Sequence, residues 1–231
     1  WHTWSLKVKK IAIIDYGAGN IGSIINAIEH LEHVPIVLDK PNKNEAYSHI
    51  ILPGVGNFGK LSKNLVDTGF KEFLDHNKSK GTYIFGICVG MQLLFEKSEE
   101  DESAAGLDYL EGKIEYLKTF SDELPIPHIG FNLVKHKNTK IWSHIPDDVF
   151  FYFVHSYCLK KTEDHNISGI SIYGEKFISF VEKENIFGCQ FHPEKSHKNG
   201  LKLIKNFIEL EWKKKIKELF LHFYILMDFI I

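Results

Sequence analysis

Four short apolar runs alternate with stretches of helical periodicity in the first half of the chain, and this alternation leaves few folds open. KIAIID (10–15) leads through the turn YGAGN into a helical pattern carrying Ile24, Ile25, Ile28 and Leu31. PIVLD (35–39) and HIILPG (49–54) are the next runs. A helix-rich stretch then reaches to about Lys80, and TYIFGIC (82–88) leads into GMQLLFEKSEE, which reads as a helix. Apolar runs without polar alternation are strands covered on both faces, and their alternation with helices is the mark of βαβ units. The expected fold class is therefore α/β, an open and mostly parallel sheet flanked by helices.

The second half changes character. GKIEYL, PHIGFNLV, VFFYFVHSY, GISIYG and FISFVEKENIFGCQFHP are β-branched and aromatic strands at short spacing, which predicts antiparallel strands added to the parallel core. A last helix places Leu203, Ile204, Phe207 and Ile208 on one apolar face. The acidic stretch EKSEEDES (Glu96 to Ser103) reads as a solvated loop. Residues 1–9 lack periodicity and read as a disordered or cloning-derived leader, residues 10–210 as one domain, and residues 211–231 as an apolar helical tail. The tail's LFLHFYILMDFII is shorter than the roughly 20 residues that span a bilayer, so a packed or partner-binding helix is expected over a membrane-surface anchor.

A formal net charge of -2 offers no whole-chain attraction to nucleic acid or anionic lipid. Cys88, Cys158 and Cys189 stand far apart without CxxC spacing, which suggests free thiols in a cytoplasmic setting. No metal-ligand spacing or nucleotide fingerprint is present, so neither a metal nor a cofactor is expected. Cys158 and Cys189, on apolar strands, read as packing residues.

Cys88 is different because of where it sits. It ends a buried parallel strand at the carboxyl edge of the sheet, where open α/β folds place their ligands. Gly86 and Gly90 make G-x-C-x-G, the cysteine analogue of a nucleophile elbow, whose small flanking residues let a strained strand-to-helix turn close beneath an exposed side chain. Taken alone, the motif leaves Cys88 divided between packing residue and nucleophile. A nucleophile needs a base, and GCQFHPEKS supplies His192 with Glu194 two residues on. Proline keeps His192 extended, and side chains at i and i+2 of an extended segment share a side, so Glu194 is expected to orient the imidazole. LPGVGNFG (52–59) adds two close glycines at the end of the third strand. They let peptide N–H groups around Gly54 and Gly56 approach a ligand oxygen, and the N–H of Val89 is a natural oxyanion donor.

IDYGAGN, LPGVGNFG, GICVGMQLLFE, PHIGFN, FYFVHSY and GCQFHPEKS together resemble the class I, triad-type glutamine amidotransferases, which have a flavodoxin-like fold. Within them the chain looks like the glutaminase subunits of imidazole glycerol phosphate synthase, from about Lys10 to Leu210. The resemblance implies hydrolysis of glutamine to glutamate and ammonia. Cys88 would form the γ-glutamyl thioester, His192 would act as acid and base, and Glu194 would orient it, while the peptide of Pro53 to Gly56 would turn so that the N–H of Val55 joins that of Val89.

It further implies that Gln92 and Glu96, one turn apart on the helix after Cys88, hold the substrate with His155, Ser156 and Tyr157 nearby. The implied partner is a (β/α)8 barrel cyclase subunit in a heterodimer, met by Ile129, Phe131 and Lys195. The family commonly has tryptophan at the position of Phe131, which keeps a ring there and removes the indole N–H. Asn20 either braces the oxyanion strand or caps the first helix. Three alternatives remain open at this level: a paralogous glutaminase serving sugar amidation, a catalytically idle assembly subunit, and a stand-alone cysteine hydrolase.

Overall fold

The computed structural model describes residues 9–117 and 124–211. The expectations for the leader and the tail thus fall outside the described residues, Lys9 and Glu211 excepted.

The first half builds β1 (Ile11–Ile14), α1 (Ile21–His30), β2 (Ile36–Leu38), β3 (His49–Leu52), α2 (Phe58–Asp67), α3 (Phe70–Ser79), β4 (Tyr83–Ile87) and α4 (Val89–Gln92). The second half builds β5 (Lys97–Ser98), β6 (Asp101–Ala105), β7 (Lys113–Tyr116), β8 (His128–His136) and β9 (Val149–His155). It continues with β10 (Tyr157–Leu159), β11 (Ile167–Tyr173), β12 (Glu175–Lys183), β13 (Ile186–Cys189) and α5 (His197–Glu209). The core is the parallel run β2-β1-β3-β4-β13, to which β12, β10, β7, β5 and β6 add a mixed wing, while β11, β8 and β9 branch from β12. Strands β1 and β3 are buried at every position, as apolar runs without alternation require. Ile24 and Ile28 of α1, Phe58 and Leu61 of α2, Phe73 and Leu74 of α3, and Leu203 and Phe207 of α5 close one core over these strands.

Topology accounts for the placement of the site. Strand β13 lies parallel to β4 with Cys189 opposite Ile87, so the residues following both strands emerge at the same edge of the sheet. Cys88 donates its backbone N–H to Cys189 O at 2.8 Å, and His192 follows three residues after β13. A separation of more than a hundred residues in sequence therefore closes to neighbouring strand ends.

Two expectations change. The helix after Cys88 is a single turn, because a returning segment takes the carbonyls that would have continued it. Leu107 N bonds Leu93 O at 2.7 Å, Tyr109 N bonds Leu94 O at 2.9 Å, and Gly106 N bonds Glu96 O at 2.8 Å. The acidic stretch 96–103 is also not a loop. It forms the antiparallel pair β5–β6, with β5 parallel to β7, and Lys113 lies 3.3 Å from Glu102 across the wing.

Two predictions follow from the packing. A Cβ built on Gly90 would lie 2.0 Å from Leu52 O, a backbone atom that cannot step aside. Gly90→Ala should therefore lose at least about 4 kcal/mol of stability, and a denaturation midpoint close to that of the parent would refute the contact.

The second prediction concerns three buried histidines. Burial, reinforced by the charge of Lys9, lowers His49 to about 3. Burial lowers His128 to about 4. Burial lowers His155 to about 3 against the opposing bond from its ring to Tyr157 O, with the charges of His128 and His192 adding to the fall. Folded values below the usual 6.5 mean that the unfolded chain binds more protons in this window, so the stability is fully present above pH 6.5 and drains as pH falls. The slope should approach about 1.4 kcal/mol per pH unit for each histidine between about pH 6.5 and 4. Denaturant titrations that give flat stability from pH 6.5 to 5 would contradict it.

Candidate active site

The elbow at Cys88 is strained in the manner its motif predicts. Cys88 sits at φ 55 and ψ -113, a region that a side chain with a Cβ rarely occupies. The turn can close because a Cβ on Gly86 would meet Gly90 O at 2.5 Å, and one on Gly54 would meet Gly90 N at 2.1 Å. Three glycine backbones thus pack where no side chain fits, which pushes the Cys88 sulfur out of the sheet edge and into a cleft of about 250 Å³.

His192 reaches the same cleft from the other strand end. Its Nδ1 lies 2.8 Å from Glu194 Oε1, and both side chains are buried. Glu194 gets there by a different route from the one expected. Pro193–Lys195 is a turn of 3-10 helix with proline at its start, so only His192, at φ -102 and ψ 94, is extended. Burial alone would lower the His192 pKa. The neighbouring Cys88 and the Glu194 carboxylate outweigh burial and raise it to about 10. Nε2 is buried and has no hydrogen-bond partner among the described residues.

The expected oxyanion donors are present but engaged. Val89 N–H donates to Gly54 O at 3.3 Å, and Val55 N–H donates to Ala18 O at 3.0 Å. Tyr16 holds the same segment from the first turn, its hydroxyl donating to Pro53 O at 2.6 Å while Asn64 Nδ2 donates to Tyr16 O. Asn20 does neither of the things expected of it. It precedes α1 in a left-handed conformation with no side-chain cap, its Oδ1 accepts from Ser23 Oγ at 3.2 Å, and among the described residues backbone and Tyr16 brace the strand.

Of the expected substrate contacts, Gln92, His155, Ser156 and Tyr157 line the cleft with Val55, Gly56 and Val89. Gly54 stands behind the elbow rather than in the lining. Glu96 is exposed and away from the cleft, because α4 ends before it; the carboxylate in the lining is Glu100, held by Phe58 N–H at 2.7 Å. No local signal separates Glu100 from its acidic neighbours, since its position depends on the β5–β6 hairpin. Pro127 and Val154 also line the cleft. The ring of His155 has no free nitrogen: Nδ1 bonds Tyr157 O and Nε2 bonds His128 Nδ1, both at 2.9 Å.

Hairpin β8–β9 carries an exposed apolar face beside the cleft. Ile129, Phe131 and Phe150 are 60%, 48% and 56% exposed. The Phe131 ring packs 5.6 Å from Tyr152 and stacks at 5.4 Å on His197, and Lys195 Nζ stands 6.0 Å from the Tyr152 ring. Among the described residues no cluster of histidine, cysteine or acidic side chains is arranged to hold a metal ion, and no helix is long and apolar enough to cross a membrane.

Comparison with known proteins places this geometry. Residues 12–210 match the family model for class-I glutamine amidotransferases. The HisH subunit of imidazole glycerol phosphate synthase from Chlorobium chlorochromatii is 41% identical over 87% of this chain and its own whole length. The counterpart from Methanocaldococcus jannaschii is 44% identical over 87% of this chain and 99% of its own length. Among solved structures, a glutamine amidotransferase aligns with a TM-score of 0.69 at 15% identity, covering 86% of this chain and 97% of its own. A chain of PurLQS from Thermotoga maritima gives 0.67 at 18% identity, covering 87% and 97%; at such identities these two speak for the fold alone. The chain belongs to the class I glutamine amidotransferases, enzymes that hydrolyse glutamine, and within them to the HisH subunits of imidazole glycerol phosphate synthase.

Proposed function

We propose that this chain releases ammonia from glutamine through Cys88, His192 and Glu194, and passes it to a (β/α)8 barrel cyclase partner in histidine biosynthesis. The observation that carries the reading is the convergence of a strained, cleft-lining cysteine with a buried histidine whose far nitrogen is held 2.8 Å from a buried carboxylate.

In this mechanism the Cys88 thiolate attacks the side-chain amide carbon of glutamine and the carbonyl π electrons move onto oxygen. The imidazolium of His192 then gives its Nε2 proton to the leaving nitrogen, and ammonia departs from the γ-glutamyl thioester. Neutral His192 next takes a proton from water as the water attacks the thioester, and collapse returns the thiolate and glutamate. Glu194 keeps Nδ1 protonated throughout, so that Nε2 is the nitrogen that exchanges protons.

The oxyanion needs two donors, and both are engaged. Turning the Gly54–Val55 peptide removes Gly54 O from Val89 N–H and brings Val55 N–H round beside it, so one rotation completes the hole. The bonds to be given up are those from Val55 to Ala18 and from Val89 to Gly54. Breaking them needs a compensating interaction, which assigns activation to the partner and its ligand. The exposed face of Ile129, Phe131 and Phe150, with Lys195 at its margin, is where that partner is proposed to dock. Loss of ammonia to protonation in water is the chemical reason for direct delivery. Glutamine, glutamate and ammonia are small molecules; the partner is the only macromolecule the reading requires.

Two outcomes are expected. Glutamine hydrolysis by the isolated chain should be slow and rise at least about tenfold, equivalent to 1.4 kcal/mol of barrier, with the cyclase and its ligand present. A fast rate without partner would favour a stand-alone hydrolase. Cys88→Ala should abolish glutamine-dependent synthesis of imidazole glycerol phosphate by the complex while leaving synthesis from added ammonium salt intact. Loss of both would mean that Cys88 supports assembly rather than chemistry.

A further inference from the structure

Behind the nucleophile lies a side chain to which the triad chemistry gives no role. Gln190 is fully buried at the end of β13, two residues before His192. Its Nε2 lies 3.8 Å from Cys88 Sγ, and its Oε1 accepts from Gln92 Nε2 at 3.1 Å. Gln92 Nε2 also donates to Tyr157 O at 3.0 Å, and His155 Nδ1 meets that same carbonyl at 2.9 Å.

The polarity of this chain is not arbitrary. The orientation of an amide side chain is fixed by its partners, and a backbone carbonyl can only accept. Tyr157 O therefore requires the N–H₂ of Gln92. The same nitrogen faces Gln190, which must answer with its oxygen, and the nitrogen of Gln190 is left pointing at the sulfur. A carbonyl on β10 thus determines that Cys88 meets a donor.

We propose that Gln190 is a further catalytic residue, an N–H donor that favours the thiolate of Cys88, and that Gln92 is the positioning residue that sets its polarity. The inference rests on Cys88 being the nucleophile. It deepens that reading by supplying a neutral donor in addition to the imidazolium. Two contacts compete at the sulfur: Val154 O, also at 3.8 Å, accepts from the thiol form, whereas Gln190 donates to either form and most strongly to the anion. Among the described residues the titratable groups around the sulfur are His192, Tyr16 and Cys189, with Glu194 behind the imidazole and Glu100, His155 and Tyr157 in the cleft lining. Burial pushes Tyr16 and Cys189 up, so both stay neutral, and His192 acts on the sulfur through its charge; a fixed neutral N–H donor adds to what these supply.

The experiment is the pH profile of alkylation of the full chain by iodoacetamide. Cys158 and Cys189 are fully buried, and Cys88→Ala gives the background. Gln190→Met keeps the volume and removes the donor. Its midpoint should move up by at least about half a pH unit, roughly a threefold slower reaction on the acid side, with the alkaline plateau retained. Gln92→Met, which frees the Gln190 amide to rotate, should move the midpoint in the same direction by a smaller amount. Profiles that superimpose on the parent overturn the proposal, and so does a lowered plateau with an unmoved midpoint, which is the mark of a structural role. If Gln190→Met does not fold, the Gln92→Met profile decides alone. Alkylation does not involve glutamine, so failure of the glutaminase reading would appear in turnover by the parent complex, and failure of this inference only in the profiles.

Discussion

Everything at this site depends on one close approach between backbones. The chain after β3 and the turn after β4 touch at Gly54 and Gly90, closer than any side chain allows. That contact lets the Cys88 backbone adopt its strained conformation, sets Val89 N–H against Gly54 O, and fixes the distance over which the Gly54–Val55 peptide would have to turn. A methyl group at this point would push the turn that carries Cys88 and Val89 away from the peptide that carries Val55. The strain at Cys88 is sustained because β3, β4 and β13, all buried and paired, leave the turn no other path.

Behind the elbow the site is organised by polarity more than by shape. Buried amides and imidazoles are costly unless each donor finds an acceptor, so they are arranged in chains whose direction is set at their ends. One chain runs from Tyr157 O through Gln92 and Gln190 to Cys88. Another starts at Asn132, whose Nδ2 approaches His128 Nε2 at 3.3 Å, and passes through His128 and His155 to the same Tyr157 carbonyl. Both histidines are held neutral by burial, which lets each ring donate from one nitrogen and accept at the other. The cleft wall from His155 to Tyr157 is therefore anchored from two directions, and the His155 ring stays committed to the protein.

Much of this was legible in the sequence, and the parts that were not have a common cause. G-x-C-x-G and His-Pro-Glu are local rules of backbone geometry, and the residues they single out, Cys88, His192 and Glu194, are ones the fold brings together. The four apolar runs likewise required a buried parallel sheet. What the sequence could not convey was competition from distant segments. GMQLLFEKSEE has helical spacing, yet the amides of Gly106, Leu107 and Tyr109 claim its carbonyls, so the helix stops after one turn and Glu100 takes the place expected for Glu96. Asn20 has the composition of a cap, but the first turn braces its neighbour through Tyr16 and Ala18 O. Gln190 sits inside a recognisable motif, and its direction is decided by a carbonyl on another strand.

The same backbone logic links the exposed face to the chemistry. Tyr152, on β9, accepts His192 N–H at 2.8 Å, and Ser196 Oγ accepts Tyr152 N–H while donating to His192 O. Phe131 and Lys195 rest against the Tyr152 ring, and Val154, two residues along the strand, presents its carbonyl to Cys88. Strand β9 is thus held on one side by the outer aromatics and on the other by Cys88 and His192. On the proposed chemistry, a partner pressing on Ile129 and Phe131 acts on the strand that positions His192, without any contact to the triad. Any such pressure reaches Val154 O and His192 together, and both bear on how the proton is shared between sulfur and imidazole. The oxyanion peptide is held from the opposite side, by the turn after β1, so completing the hole and poising the proton are mechanically separate steps. On the proposed chemistry, a glutaminase built this way stays slow while only one of them has been made.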